Sequence, residues 1–367
     1  MDPQQVTNML SRKTLADYLV LDYRGSGAFA HVFNAENVRT GAQVALKVLD
    51  PGAGTAQHRE FDNEGDLLKA LLSASAVVDI EDTLLAQVPI PIVTPGGGAA
   101  NILIPVRFHV LERADKCLDE LLIYRQSLDW GAKLALYRQA ALGIHQMHLA
   151  HVAHRDSKAE NCLVFLRSRN NVDVKISDLG RSRDLRQSAA AGPREYQWGR
   201  GDPSFAPPEM LWLLGTDTPE CHLRADLYGI GSVLYEVATG QGLTAAALGS
   251  AIPYMNRASG WTIAQRQANY LGELSNLRLA LDGALTLLDT EVPIHLRQYF
   301  LRLLRQLCDP DPIRRDKIIR VGTRNMPAPD LQWLLREIDL MIRVHAYHEQ
   351  QVARLASKRL RRAQKGA

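Results

Sequence analysis

The run His154-Arg155-Asp156-Ser157-Lys158-Ala159-Glu160-Asn161 places a carboxylate, an ammonium and a carboxamide in one short polar stretch. Asp156 is suited to accept a proton from an attacking hydroxyl. Lys158 is suited to neutralise a phosphoryl group in transfer. Asn161 offers an oxygen to magnesium, a hard cation that prefers oxygen ligands. Asp178-Leu179-Gly180 follows a strand pattern and adds a second carboxylate for a metal, with a flexible residue behind it. Upstream, Lys47 closes the apolar run Val44-Ala45-Leu46-Lys47. A lysine in such a strand needs an anion beside it, because an unpaired buried charge is costly. Glu64 follows on a helix with an apolar stripe and could hold it. Gly25-Ser26-Gly27 lets backbone N–H groups approach phosphates. Taken singly, the glycines would suit any hairpin and Glu64 any solvated helix face. The order and separation of the whole set point to phosphoryl transfer.

These residues need elements to position them. Tyr18-Leu19-Val20-Leu21, Ala30 to Ala35 and Val44 to Leu49 read as strands separated by the glycine turn and by Thr40-Gly41. Gln57 to Leu72 reads as a helix, with Phe61, Leu67, Leu68, Leu71 and Leu72 apolar. Val88 to Glu112 reads as strand, interrupted by Pro95-Gly96-Gly97-Gly98. Beyond Glu112 helical patterns dominate, over Leu118–His148, Ala225–Ala238 and His295–Leu307, with short strands at Cys162–Phe165 and Val174–Ile176. From Asp330 one long helix is expected, apolar at Leu331, Leu334, Leu335, Ile338 and Met341 and basic from Arg354 to Lys365. The fold class is α+β, a small β-rich part followed by a larger α-rich part.

With 367 residues, 46% of them hydrophobic, the chain can bury a sizeable core. A net charge of +3 argues against nucleic acid as the main partner of the whole chain, although the basic tail Arg354–Lys365 leaves a local contact open. Cys117, Cys162, Cys221 and Cys308 form no CxxC pair, so neither zinc nor a disulfide framework is expected. The first residues lack a signal-peptide pattern, and no apolar run has the roughly 18–20 residues that span a bilayer. The expected location is cytoplasmic.

Over roughly Leu15 to Val321 the chain resembles the eukaryotic-like serine/threonine protein kinase superfamily, and its alanine, arginine and leucine richness looks bacterial. Gly25, Gly27 and Val32 fit the glycine-rich loop, Lys47 the strand lysine and Glu64 the helix glutamate. His154-Arg155-Asp156 through Asn161 fits the catalytic loop. Asp178-Leu179-Gly180 fits the metal-binding triplet, with leucine for the usual phenylalanine. Pro207-Pro208-Glu209 fits the end of the activation segment, Asp226 and Gly231 the buried pair of the central helix, and Arg315 the late arginine expected to pair with Glu209.

The resemblance implies a two-lobed kinase fold with a long C-terminal helix. It divides the chain into an N-terminal segment 1–14, a kinase domain 15–327 (N-lobe about 15–112, C-lobe about 113–327) and a basic helical extension 328–367. ATP and Mg2+ are the implied cofactors. ATP would lie against Gly25, Ser26, Gly27, Val32, Ala45, Lys47 and Leu163, with its adenine at a hinge near Glu112, Arg113 and Ala114 and with Leu111 gating the rear. Asn161 and Asp178 would hold magnesium. Asp156 would orient and deprotonate the acceptor, with Lys158, Lys47 and Glu64 completing the catalytic set. The implied partner is a protein substrate, phosphorylated on serine or threonine, and the kinase itself. The alternatives are a pseudokinase that binds ATP without efficient transfer, and a small-molecule kinase of the aminoglycoside or choline type. The latter generally lack a Pro-Pro-Glu segment end.

Three departures stand out. Ala30 replaces the third loop glycine. Asp202 stands where threonine usually bridges the catalytic aspartate and lysine, and is expected near Asp156 and within reach of Lys158. The segment from Asp178 to Glu209 has no threonine, so the candidates for a phosphorylated loop are Ser182, Ser188 and Tyr196, and Ser182 or Ser188 is the expected site of autophosphorylation, pairing with Arg155; alternatively Asp184 or Glu195 already supplies that anion. The stretch Leu72–Gly98 is expected as an insertion.

Overall fold

The computed structural model describes residues 2–27, 29–93, 99–123, 128–168, 171–188, 196–197, 201–321 and 323–365. Its first lobe is one antiparallel sheet of six strands, in the order β1-β2-β3-β4-β6-β5. The strands are β1 (Thr14–Leu15), β2 (Tyr18–Ser26), β3 (Ala30–Asn37), β4 (Gln43–Leu49), β5 (Ile80–Val93) and β6 (Ala99–Glu112). Alternation sets the faces: Val44, Leu46 and Val48 of β4 are buried in the lobe's core, so Ala45 and Lys47 look the other way.

Helix α1 (Pro3–Leu10) opens with Pro3 behind an Asp2 capping box and buries Val6, Met9 and Leu10 in the same core. Sequence reading assigned it no element. Helix α2 (Thr55–Ala70) presents Phe61, Glu64, Leu67 and Leu68 inward.

The stretch expected as an insertion is largely β5. It pairs with β6 from Ile80↔Leu111 to Val93↔Ala99 and forms the edge of the sheet. From Val88 on it was expected as strand, whereas Ile80 to Gln87 was not; Pro89 and Pro91 are tolerated because an edge strand has one row of N–H groups with no neighbour to serve. The Pro95–Gly98 break lies outside the described residues.

The second lobe is mainly helical. The helix expected over Leu118–His148 is two, α3 (Leu118–Ile123) and α4 (Trp130–Leu149), and Asp129 caps the second by accepting from Ala132 N at 2.8 Å. Helix α5 (Pro219–Thr239) runs through the core, with α6 (Ile263–Leu285) and α7 (Ile294–Leu307) around it. A side chain at Gly231 would run into Cys308 Sγ and Leu307, so glycine is what lets α5 approach the end of α7. Helix α8 (Gln332–Lys365) buries Leu334, Leu335, Ile338 and Met341 in this core, with Leu331 just before it, and Arg138 ties Asp339 to α4 at 2.6 Å. Among the described residues no helix is long and apolar enough to cross a membrane.

Short strands carry the loops of the cleft: β7 (Lys116–Cys117), β8 (Val152–Ala153), β9 (Cys162–Ser168), β10 (Asn171–Ile176) and β11 (Arg183–Asp184), paired as β10-β9-β7 and β11-β8.

Candidate active site

A cleft of about 800 Å³ lies between the lobes, and apart from Arg113 every site residue expected from the sequence lines it. Gly25, Ser26, Gly27 and Val32 come from β2, β3 and the turn joining them, Ala45 and Lys47 from β4, and Glu64 from α2. Glu112 and Ala114 lie at the crossing between lobes, with Asp156, Lys158, Asn161, Leu163 and Asp178 below.

Lys47 is the hub. Its Nζ donates to Glu64 Oε1 and Oε2 at 2.8 and 2.6 Å and to Asp178 Oδ1 at 2.9 Å. Burial alone would pull this ammonium down, but the Asp178 and Glu64 carboxylates reverse the effect and hold it above its ordinary range. Lys47 in turn holds the Asp178 carboxyl below the usual range. Burial pushes the Glu64 carboxyl up, and Lys47 draws it back. The anion that the apolar strand demanded is thus supplied by both lobes at once.

Asp178 sits in the left-handed region, with φ 61° and ψ 62°, a conformation that aspartate tolerates better than most residues. A device the sequence did not reveal fixes the turn that follows. Asn63, beside Glu64 on α2, donates through Nδ2 to the carbonyls of Leu179, Gly180 and Ser182 at 3.3, 3.1 and 3.0 Å. The helix that orients Lys47 therefore also grips the turn that carries Asp178.

Asp226 of α5 organises the loop around Asp156. Its carboxylate, buried in the core, accepts from His154 N at 2.7 Å, Arg155 N at 2.6 Å and His148 Nε2 at 2.9 Å. Burial works against ionisation there, but His148 and the loop N–H groups outweigh it and hold the Asp226 carboxyl below its ordinary value. Arg155 is left with φ 71°. Asn161 Nδ2 donates to Asp156 O at 2.8 Å, which commits the amide nitrogen and leaves the carboxamide oxygen as the atom offered to a ligand.

Asp202 lies near Asp156 as expected, but through its backbone: Asp202 N donates to Asp156 Oδ1 at 2.9 Å. A side chain on Gly201 would meet Arg155 O at 2.7 Å, so glycine permits this approach. The expected pairing of Asp202 with Lys158 is loose, at 3.9 Å, because Asp202 Oδ1 accepts from Ser204 N at 2.8 Å. Glu160, two residues on, is the closer partner of Lys158 at 2.7 Å. Arg181 was also missed; its Nη1 stands 3.9 Å from Asp156 Oδ2.

Ala45, Val32, Leu163 and Ala114 are partly exposed to the cleft, and Leu111 is buried at its rear. The Glu112 carboxylate turns from the cleft to Lys175, Arg167 and Asp79 N, so the hinge can offer a ligand only backbone groups at that residue. Arg113, also placed near the adenine by sequence, is exposed and donates to Gln43 at 3.3 Å. At the segment end the expected pair is formed: Arg315 Nη1 and Nη2 reach Glu209 Oε1 and Oε2 at 2.6 and 2.7 Å, both residues being buried.

Of the expected phosphorylation sites, Ser182 is buried with its hydroxyl donating to His154 O at 3.2 Å, whereas Ser188 is exposed. Asp184 binds Arg186 at 2.9 Å. Glu195 lies outside the described residues.

A family model described as the protein kinase domain matches residues 18–321. The chain is 30% identical over 224 residues to serine/threonine-protein kinase PknL of Mycobacterium tuberculosis, across 61% of this chain and 49% of that protein. It is 29% identical over 234 residues to serine/threonine-protein kinase pkn2 of Myxococcus xanthus, across 61% and 25%. Over a longer stretch of 321 residues it is 24% identical to the hormonally up-regulated neu tumor-associated kinase homolog A of Xenopus laevis, across 86% and 38%. The chain thus spans from a quarter to about half the length of these relatives.

Proposed function

The chain belongs to the protein kinase domain family, and from that premise we propose that it transfers the γ-phosphoryl group of ATP to serine or threonine hydroxyls of protein substrates, its own chain included. The observation that carries this reading is Lys47 bound at once to Glu64 and Asp178, in a cleft that Asp156 and Asn161 also line. Lys47 supplies a fixed cation for the phosphates, and Glu64 keeps it from swinging away. The apolar walls of Val32, Ala45 and Leu163 suit a flat purine ring. Asp156 orients the acceptor hydroxyl and takes its proton, and Lys158 stabilises charge on the group in transfer.

The Asp178 carboxylate and the Asn161 carboxamide oxygen form a hard, all-oxygen donor set that fits magnesium, and these two residues would hold it. The bound ion would neutralise phosphate charge. The rest is positioning, which can account for about 7–11 kcal/mol of a barrier when reacting groups are well aligned. A small-molecule acceptor fits less well, because Glu209 and Arg315 build a rigid end to a segment that could support a polypeptide.

The test is incorporation of labelled phosphate from ATP and magnesium into a generic basic protein, beside Asp156→Ala. Transfer that disappears in the variant, with phosphate mapped to serine or threonine, is the expected result. ATP binding with no transfer would refute it.

A further inference from the structure

Tyr196 is a buried aromatic residue in the segment between Gly180 and Glu209. The Arg155 guanidinium carbon lies 5.3 Å from its ring centroid, and the His222 ring lies 5.7 Å away, tilted by 60°. Arg183 approaches as well: its guanidinium is held above its ordinary range first by the bond to Asp217 and, further down, by Tyr196. Asp217 joins this group by accepting from Arg183 Nε at 3.0 Å and from His222 Nε2 at 2.8 Å. The Tyr196 carbonyl rests on Gly215, where no side chain would fit. The next residue, Gln197, accepts from Arg266 at 3.3 Å. Two arginines and a histidine from the catalytic loop, β11 and α5 thus converge on one tyrosine.

Arg155 directly precedes Asp156 and donates to Arg181 O at 3.1 Å, so whatever covers Arg155 bears on the catalytic loop and on the turn after Asp178. An aromatic face is a good partner for a guanidinium shielded from water. A phosphate on Ser188 would find the nearby cations engaged: Arg183 is bidentate on Asp217 at 3.0 and 3.1 Å, and Arg186 is on Asp184 at 2.9 and 3.0 Å. Ser182 is buried.

We propose that Tyr196 is a positioning residue that holds the segment against Arg155 in its working arrangement without any phosphate on the segment. This rests on the kinase reading above and adds to it that the unmodified chain is already active.

The test uses the full chain, treated with phosphatase and checked by intact mass. Kinetics with labelled ATP and a generic basic protein would be measured for wild type, Tyr196→Phe, Tyr196→Leu, Arg155→Gln and the Tyr196→Leu/Arg155→Gln double variant. The expected result is full activity of the dephosphorylated wild type and near-full activity of Tyr196→Phe, which keeps the ring. Tyr196→Leu should lose about tenfold in kcat with the KM for ATP unchanged, on the scale of a shielded ring–cation contact. Arg155→Gln should lose a similar factor, and the double variant no more than either, because the two act as one contact. If Tyr196→Leu does not fold by thermal melt, Arg155→Gln and Tyr196→Phe carry the test. A wild type silenced by phosphatase and revived by phosphate on Ser188 or Tyr196 would overturn the proposal while leaving the kinase reading intact. So would full activity of Tyr196→Leu, or losses that multiply in the double variant. A wild type that binds ATP and transfers nothing in either state would remove the kinase reading itself.

Discussion

Replacing Arg315 by methionine removes a guanidinium that is wholly buried and makes five hydrogen bonds. Two go to Glu209, at 2.6 and 2.7 Å, and three to the carbonyls of Asp309, Arg224 and Pro310, at 2.8, 3.3 and 3.4 Å. Methionine fills much of the volume but leaves the Glu209 carboxylate buried, with the Tyr270 hydroxyl 3.5 Å away and already donating to Pro310 O at 2.6 Å. Breaking a buried pair from one side costs about 3–5 kcal/mol, because the survivor is an uncompensated charge. Glu209→Gln should cost less, about 1–3 kcal/mol, since the amide oxygen still accepts one bond and the three carbonyls still engage Arg315. The double variant Arg315→Met/Glu209→Gln should cost less than the sum of the singles by about 1–3 kcal/mol. Urea unfolding followed by far-UV circular dichroism would read this as a midpoint lowered by about 1–2 M for Arg315→Met. Transfer to a protein acceptor should fall as well, because Glu209 anchors the end of a segment whose Asp202 N–H reaches Asp156. A midpoint shift below about 0.3 M, or strict additivity of the two singles, would refute the reasoning.

The remaining predictions concern the cleft and its supports. Lys47→Met should reduce transfer by about 100-fold or more, as expected for loss of a fixed charge at the reacting group, and should lower the melting temperature as well, because it leaves the Glu64 carboxylate buried without its cation; single-turnover transfer and a melt read both. Asn63→Leu removes three hydrogen bonds to the turn after Asp178 and should lower kcat by about tenfold, with the secondary structure unchanged by circular dichroism. Asp202→Thr should change kcat by less than about threefold, because the contact to Asp156 is made by the backbone N–H and survives the substitution; a much larger gain would show that the carboxylate itself restrains the reaction. Burial pushes the Glu236 carboxyl up to about 8 from an ordinary 4.5. The folded chain therefore keeps a proton that the unfolded chain releases, and stability should fall as pH rises from about 4.5 to about 8. This one group contributes at most about 1.4 kcal/mol per pH unit, and urea midpoints across that range should flatten in Glu236→Gln.

What was legible in the sequence has a common physical origin. His154 to Asn161 and Asp178 to Gly180 do their chemistry from single turns, where neighbouring side chains are held at fixed separations by the backbone itself. Lys47 was legible because its charge contradicts its apolar strand, and the contradiction demands a partner. What stayed hidden depends on side chains meeting across the fold. Asn63 looks like any polar residue on a helix until α2 is laid against the turn at Leu179. The first half of strand β5, Ile80 to Gln87, was obscured because at the sheet's edge residues 81–87 are all exposed or half-buried and show no apolar alternation. Asp202 is the most instructive case. Read as a side chain, it looks like a lost threonine and a defect beside Asp156. In the fold the link to Asp156 is an N–H that any non-proline residue supplies, and the carboxylate is spent capping Ser204 N. The same reasoning applies to Arg155. Its position before Asp156 led to the expectation of a phosphate, or of an anion from Asp184 or Glu195; on the proposal above, the ring of Tyr196, 5.3 Å from the guanidinium, takes that place. A motif fixes which groups must be satisfied; only the packing of the chain decides what satisfies them.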